Sequence, residues 1–88
     1  MQSVEQPLRH LLDEISAAIG RTKAHEDREA LTRLRGEVEG RLQAGDGDEQ
    51  HSGLVDSLEK AEIRFESDHP TLVESLRQAI QSLSSAGI

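Results

Sequence analysis

Apolar side chains recur every three or four residues along most of this chain, and that spacing constrains the fold more than any other feature. On an α-helix, residues at this spacing share one face. No stretch combines apolar–polar alternation with the β-branched enrichment of a strand. The periodicity therefore predicts an all-α protein, a small bundle of about four amphipathic helices forming a single domain over residues 1–88.

Breaks between the periodic segments set the predicted helix boundaries. The first two helices are predicted from about Val4 to Ile19 and from about Ala24 to Ala44. The third runs from His51 or Ser52 to Ser67, and the fourth from Pro70 to Ala86. Their predicted apolar faces are Val4, Leu8, Leu11, Leu12, Ile15 and Ile19; Leu31, Leu34, Val38 and Leu42; Leu54, Leu58, Ala61 and Phe65; and Leu72, Leu76, Ala79, Ile80 and Leu83, with Val73 at the edge.

The first break contains residues typical of helix ends. Gly20 suits the left-handed position that stops a helix. Thr22 is predicted to be the N-cap of the second helix, and Ser3 with Gln6 fits a capping box before the first. Because the link from Gly20 to Lys23 is short, the first two helices are predicted to form an antiparallel hairpin.

The second break, Ala44-Gly45-Asp46-Gly47-Asp48, is the strongest in the chain and predicts a polar turn. Its aspartates also suggest a calcium loop, which requires glycine at its sixth position and glutamate at its twelfth. Counted from Asp46, those positions hold His51 and Ser57. We therefore predict a turn without a metal.

The third break is Asp68-His69-Pro70. Proline lacks an amide donor and restrains the residue before it, so a helix ends or kinks there. Pro70 also suits the first turn of a new helix, with Asp68 or His69 as its cap. Two architectures remain open: two helical hairpins, or one hairpin and a helix kinked at Pro70. His69 is interpreted as a cap or turn residue and not as a catalytic base.

Charge and composition exclude several classes of protein. Ten basic residues against 17 acidic ones give a net charge of −7, which would repel a phosphate backbone, so a nucleic-acid partner is not expected. The absence of cysteine excludes disulfides, a thiolate nucleophile and a thiolate zinc site. No apolar stretch is long enough for a membrane span or a signal peptide. We expect an acidic cytoplasmic protein with no membrane partner.

Two histidine–carboxylate pairs have the spacing of neighbours on one helix face: His10 with Glu14, and His25 with Glu29. A zinc site requires three or four ligands, and neither helix supplies a third. No catalytic, cofactor-binding or metal-binding residues are predicted, no cofactor is expected, and the chain is not expected to be an enzyme.

The second helix mixes charges and contains two glycines. Its arginines could meet the acidic C-terminal half of the chain or a second copy, or could form a solvated face. Gly36 and Gly40, one turn apart and opposite the apolar stripe, are either tolerated surface glycines or mark a close approach by another helix. The arginines are Arg28, Arg33, Arg35 and Arg41.

A thin core favours self-association. Only 34% of the residues are hydrophobic, so an isolated chain of this length would be marginally stable. Ile63 and Val55 lie off the main stripe of the third helix and hint at a second buried surface. A small-residue stripe on the last helix gives the same hint: Ser75, Ala79, Ser82 and Ala86. We therefore expect a homodimer.

The C-terminal stretch resembles that of short bacterial proteins in the domain-of-unknown-function family numbered 4404. The resemblance is close over residues 65–88 and looser over the rest. It implies a small bacterial cytoplasmic protein with no assigned activity, cofactor or catalytic residue. The residues that carry it are Phe65-Glu66-Ser67-Asp68-His69-Pro70-Thr71-Leu72, Leu76, Ile80, Leu83 and the final Gly87-Ile88.

The leading functional hypothesis is a non-catalytic protein-interaction or scaffold module that acts through helix faces. The alternative is a regulatory accessory protein of a nucleic-acid or chromosome-partitioning system. That alternative requires the basic residues of the second helix to lie on one surface.

Overall fold

A computed structural model describes the chain over residues 5–44 and 51–86. Those residues form α1 (Glu5–Arg21), α2 (His25–Ala44), α3 (His51–Arg64) and α4 (Pro70–Ala86). Within the described ranges no residue is in a strand. The predicted all-α fold with four helices is confirmed.

The helices form an antiparallel ring in chain order, in which each packs against its two neighbours. Arg64 near the end of α3 contacts Asp27 near the start of α2, so these two helices run in opposite directions. Thr22, after α1, lies beside His69, before α4. The link between α1 and α2 and the link between α3 and α4 therefore lie at the same end of the bundle.

The core confirms most of the predicted apolar faces. Leu12, Ile19, Leu42 and Ile80 are only partly buried, because each lies at the side of its helix stripe. Val4 lies outside the described residues. The buried core consists of Leu8, Leu11, Ile15, Ala18, Leu31, Leu34, Val38, Leu54, Leu58, Ala61, Phe65, Leu72, Val73, Leu76, Ala79 and Leu83.

The small residues of α4 lie inside the chain. Ser75 and Ala79 are buried. Arg77 pairs with Glu62 of α3, and Ser75 lies about 200° around the helix from Arg77 at about 100° per residue. The small side of α4 therefore faces α1, its other neighbour. Ser75 and Ala79 are therefore used within one copy, and they do not contribute to a second surface.

The first link corrects two predictions. Gly20 is inside α1, and its φ lies outside the left-handed region, so it does not stop the helix. Thr22 closes α1 and does not cap α2: its hydroxyl donates to the Ala18 carbonyl oxygen at 2.6 Å. The amide of Arg28 donates to the Ala24 carbonyl, so Ala24 is the cap residue of α2.

The junction between α3 and α4 selects the architecture of two hairpins. The His69 carbonyl accepts the first helical bond of α4, from the Val73 amide at 3.0 Å, which places His69 at the N-cap. Pro70 is the first residue of α4, where its missing amide proton costs nothing. The chain reverses here, since α3 and α4 pack side by side. The predicted Ser3 cap and the turn over residues 45–48 lie outside the described residues.

Candidate interaction groove

The seam between α2 and α3 is packed less closely than the other three seams of the ring. It contains an open groove of about 310 Å³. The groove runs along the middle of α2 and the second half of α3. Its lining residues are Ala30, Arg33, Leu34, Glu37, Ser57, Lys60, Ala61, Arg64 and Phe65.

The floor of the groove is apolar. Leu34, Ala61 and Phe65 belong to the buried core and form its outer surface here. Ala30 on α2 and Ala61 on α3 are one-carbon side chains at positions where larger residues would fill the space between the helices. The groove therefore results from alanine on both sides of one seam.

An ion pair closes the groove at the end near the interhelical links. Arg64 donates from Nε and Nη2 to Asp27 Oδ1 at 3.1 and 3.0 Å. Its guanidinium carbon also lies 5.7 Å from the centre of the Phe65 ring, within cation–π range. This ion pair is not one that was considered for the arginines of α2, because its acid is on α2 and its base is on α3.

The α2 rim of the groove carries one cation and one anion a single turn apart. Arg33 and Glu37 both line the groove and are exposed. Neither forms a hydrogen bond or ion pair with any residue in the described part of the chain. On the α3 rim, Lys60 pairs with Asp56 at 3.2 Å, an exposed contact of a kind that contributes little to stability.

The glycines of α2 lie next to this rim on the solvent side. A Cβ added at Gly36 or Gly40 would meet nothing within 4 Å, and neither backbone is left-handed. The fold of one copy therefore requires glycine at neither position. They are surface glycines in the single chain, and their use between copies remains a prediction.

The seam between α3 and α4 differs from the groove. Arg77 donates from Nε to Glu62 Oε2 at 2.7 Å across it. That hydrogen bond, the charge of Glu62 and the more distant charges of Glu66 and Glu74 raise the pKa of Arg77 above its ordinary value. Arg77 therefore remains charged wherever the protein is folded.

The histidines do not converge on a site. His25 Nε2 lies 3.3 Å from Glu29 Oε2, as the spacing predicted, but both are exposed. His10 is exposed on α1. Over residues 5–44 and 51–86, no three histidine, aspartate or glutamate side chains are grouped to hold a metal ion.

His69 is buried at the junction of the hairpins. The single proton of the Thr22 hydroxyl is donated to Ala18, so His69 Nε2–H donates to Thr22 Oγ1, at 3.2 Å. Its ring also meets Phe65 edge-to-face at 5.7 Å. These contacts join the two interhelical links, which agrees with the interpretation of His69 as a cap and turn residue.

The arginines of α2 are divided between different surfaces. Arg41 is buried and Arg35 is half-buried, whereas Arg28 and Arg33 are exposed. Arg33 and Arg35 lie about 200° apart around the helix at about 100° per residue. The described part of α2 therefore presents no single basic surface of the kind that a nucleic acid requires.

The sequence predicted part of this site. Leu34, Ala61 and Phe65 were placed on inner faces, and Arg33 was singled out as a basic residue of α2. Ala30, Glu37, Ser57, Lys60 and Arg64 were missed. The available signal was an alanine at the border of a leucine stripe on each of two helices, but alanine is too common in helices to indicate a groove.

Comparison with known families places the chain in one of them. The model of the family described as Domain of unknown function (DUF4404) matches residues 4–88, so the chain belongs to that family. Searches of curated proteins and of solved structures gave no significant match. None of the described helices combines the length and apolar character needed to cross a membrane.

Proposed function

We propose that this protein is a non-catalytic interaction module, and that the groove between α2 and α3 is its recognition surface. The observation that carries the proposal is the loosely packed seam between α2 and α3, where a groove of about 310 Å³ lies over the buried side chains of Leu34, Ala61 and Phe65. A groove of this kind accepts the apolar face of a helix.

The chemistry of the groove favours binding over catalysis. Its charged side chains are Arg33, Glu37, Lys60 and Arg64, which lie in or near water at the rim. Catalytic acids and bases are usually set against each other in sheltered sites, where burial and neighbouring charges shift their pKa values. An apolar floor with a charged rim is instead the pattern of a protein–protein interface.

The alternative, an accessory protein that contacts nucleic acid, has less support. It requires the arginines of α2 to form one basic surface, and they are divided around the helix. Its test is a mobility-shift assay at low salt. A shift that is lost when Arg33 and Arg35 are changed to glutamate would favour this alternative over the interaction module.

Site-specific photo-crosslinking tests the interaction module. A photoreactive amino acid replaces Ser57 in the groove or, as the matched control, Asp13, which is exposed on α1. After irradiation in the native cell, we expect a discrete protein adduct from position 57 and none from position 13. Equal adducts at both positions, or none at position 57, would contradict the proposal.

A further inference from the structure

We propose that the groove between α2 and α3 is occupied by α2 of a second copy of this chain, so that two copies pair antiparallel about a two-fold axis that crosses α2 at the level of position 35, on the groove side of the helix. The inference rests on the proposed function and names the partner of that groove. A two-fold interface uses the same patch on both copies, so the patch must be complementary to itself.

The charges of the rim meet this requirement. In an antiparallel pair centred near Arg35, Arg33 of one copy lies opposite position 37 of the other, and the reverse holds by symmetry. Arg33 and Glu37 have opposite charges and are unpaired among the described residues. Pairing two copies therefore converts two unpaired cations and two unpaired carboxylates into two ion pairs.

The small residues meet the same requirement. In this register, Ala30 on the groove wall lies opposite position 40 of the second helix, which is glycine. A Cβ at Gly40 or Gly36 would point into open space, so neither glycine is explained by packing within one copy. Glycine on the outer side of α2 would let a second helix approach the groove closely.

The groove provides space for a second helix. Leu34 and Phe65 bound a groove of about 310 Å³ that a single copy leaves to solvent. Because Leu34 and Phe65 are only 5% and 2% exposed, a second α2 laid along the groove would remove little apolar surface from water and would gain mainly from contacts with the rim and walls. The net charge of −7 opposes pairing of two copies, so the attraction must be local to the rim.

A mixing experiment with two charge reversals tests the register directly. In a self-pair, R33E sets two carboxylates opposite each other, and E37R sets two guanidinium groups opposite each other. In an equimolar mixture of the two variants, each reversed side chain meets one of opposite charge. We expect each variant alone to self-associate roughly tenfold more weakly than the unaltered chain, and the mixture to recover the loss as a heterodimer. Sedimentation velocity over a concentration series measures both.

Two further variants serve as controls. R9E makes the same change in net charge as R33E but on α1, away from the groove, where it removes only the exposed Arg9–Glu5 pair. We expect it to self-associate like the unaltered chain apart from any general charge repulsion. The double variant R33E/E37R restores both pairs with exchanged signs, and we expect it to regain association. Circular dichroism of every variant establishes that the helices are intact.

The outcomes separate this inference from the proposed function. The pairing is overturned if the unaltered chain stays monomeric at the concentrations used for NMR. It is also overturned if R33E and E37R do not weaken the dimer, or if mixing the two variants does not restore association. If position 57 still yields an adduct to a different protein, the interaction module stands and only its partner is wrong. If position 57 yields no adduct, the proposed function fails as well.

Discussion

The α3–α4 seam and the α2–α3 seam share one helix, yet they are packed differently. Across the first, Val73 is buried beside the ion pair of Arg77 with Glu62. Across the second, Ala30 and Ala61 leave a groove over the floor residues. Helix α3 therefore packs more closely against α4 than against α2.

The largest contrast is expected from leucine truncation at the two places. Leu76 is fully buried in α4, and Leu76→Ala should cost about 2–5 kcal/mol of unfolding free energy because it leaves a cavity. Leu34→Ala should cost about 2 kcal/mol, at the lower end of that range, because Leu34 is buried but the space it leaves opens into the groove. Urea denaturation measures both. Equal costs would show that the α2–α3 seam is as tightly packed as the core.

Enlarging one alanine at each seam should have opposite consequences. Ala79 is fully buried on the side of α4 that faces α1, so Ala79→Leu should cost about 1–3 kcal/mol by overpacking. Ala61→Leu should change stability by less than about 1 kcal/mol, because the added atoms enter the groove. The same variant should abolish the adduct from position 57. A large loss of stability from Ala61→Leu would mean that no groove is open.

The hydroxyl of Thr22 should contribute an intermediate amount. Thr22→Val removes the bond to the Ala18 carbonyl and the acceptor for His69, and it should cost about 1–2 kcal/mol. Thr32→Val is the matched control, since Thr32 is exposed on α2 and should tolerate the change. Thermal unfolding compares them. Equal melting temperatures for the two variants would remove the structural role of the Thr22–His69 contact.

Removing the surface glycines should stabilise the single chain slightly. Gly36→Ala and Gly40→Ala should each add about 0.5–1 kcal/mol, because glycine is a poor helix former and a methyl group at either position meets open space. If the two-fold pairing is right, Gly40→Ala should at the same time weaken self-association. A higher free energy of unfolding in urea denaturation, together with weaker self-association in sedimentation, would separate the two roles of Gly40.

The smallest effect is expected from pH at the closed seam. The pKa of Arg77 is raised, so the stabilisation it provides is complete below the ordinary arginine pKa and is lost only as pH rises above that value. Between roughly pH 7 and pH 10, the difference in stability between the unaltered chain and Arg77→Gln should stay constant. A difference that shrinks across this range would contradict the assignment of the Arg77–Glu62 pair.

The sequence predicted features that depend on one helix, and missed features that depend on two. Spaced residues such as Leu58 and Leu76 give the inner faces directly, because helical geometry fixes which residues lie together. Thr22 and Gly20 misled the prediction, since the same residue types serve at either end of a helix and glycine is also tolerated within one. The groove could not be predicted, because it depends on how far α2 and α3 approach each other.

The most direct test of the open seam is the concentration dependence of the backbone amide resonances. As the concentration rises, we expect chemical-shift changes along residues 30–40 of α2 and 57–65 of α3, with the outer faces of α1 and α4 unchanged. Changes centred on α1 or α4, or none at any concentration, would contradict the claim that copies of this chain meet at the α2–α3 groove.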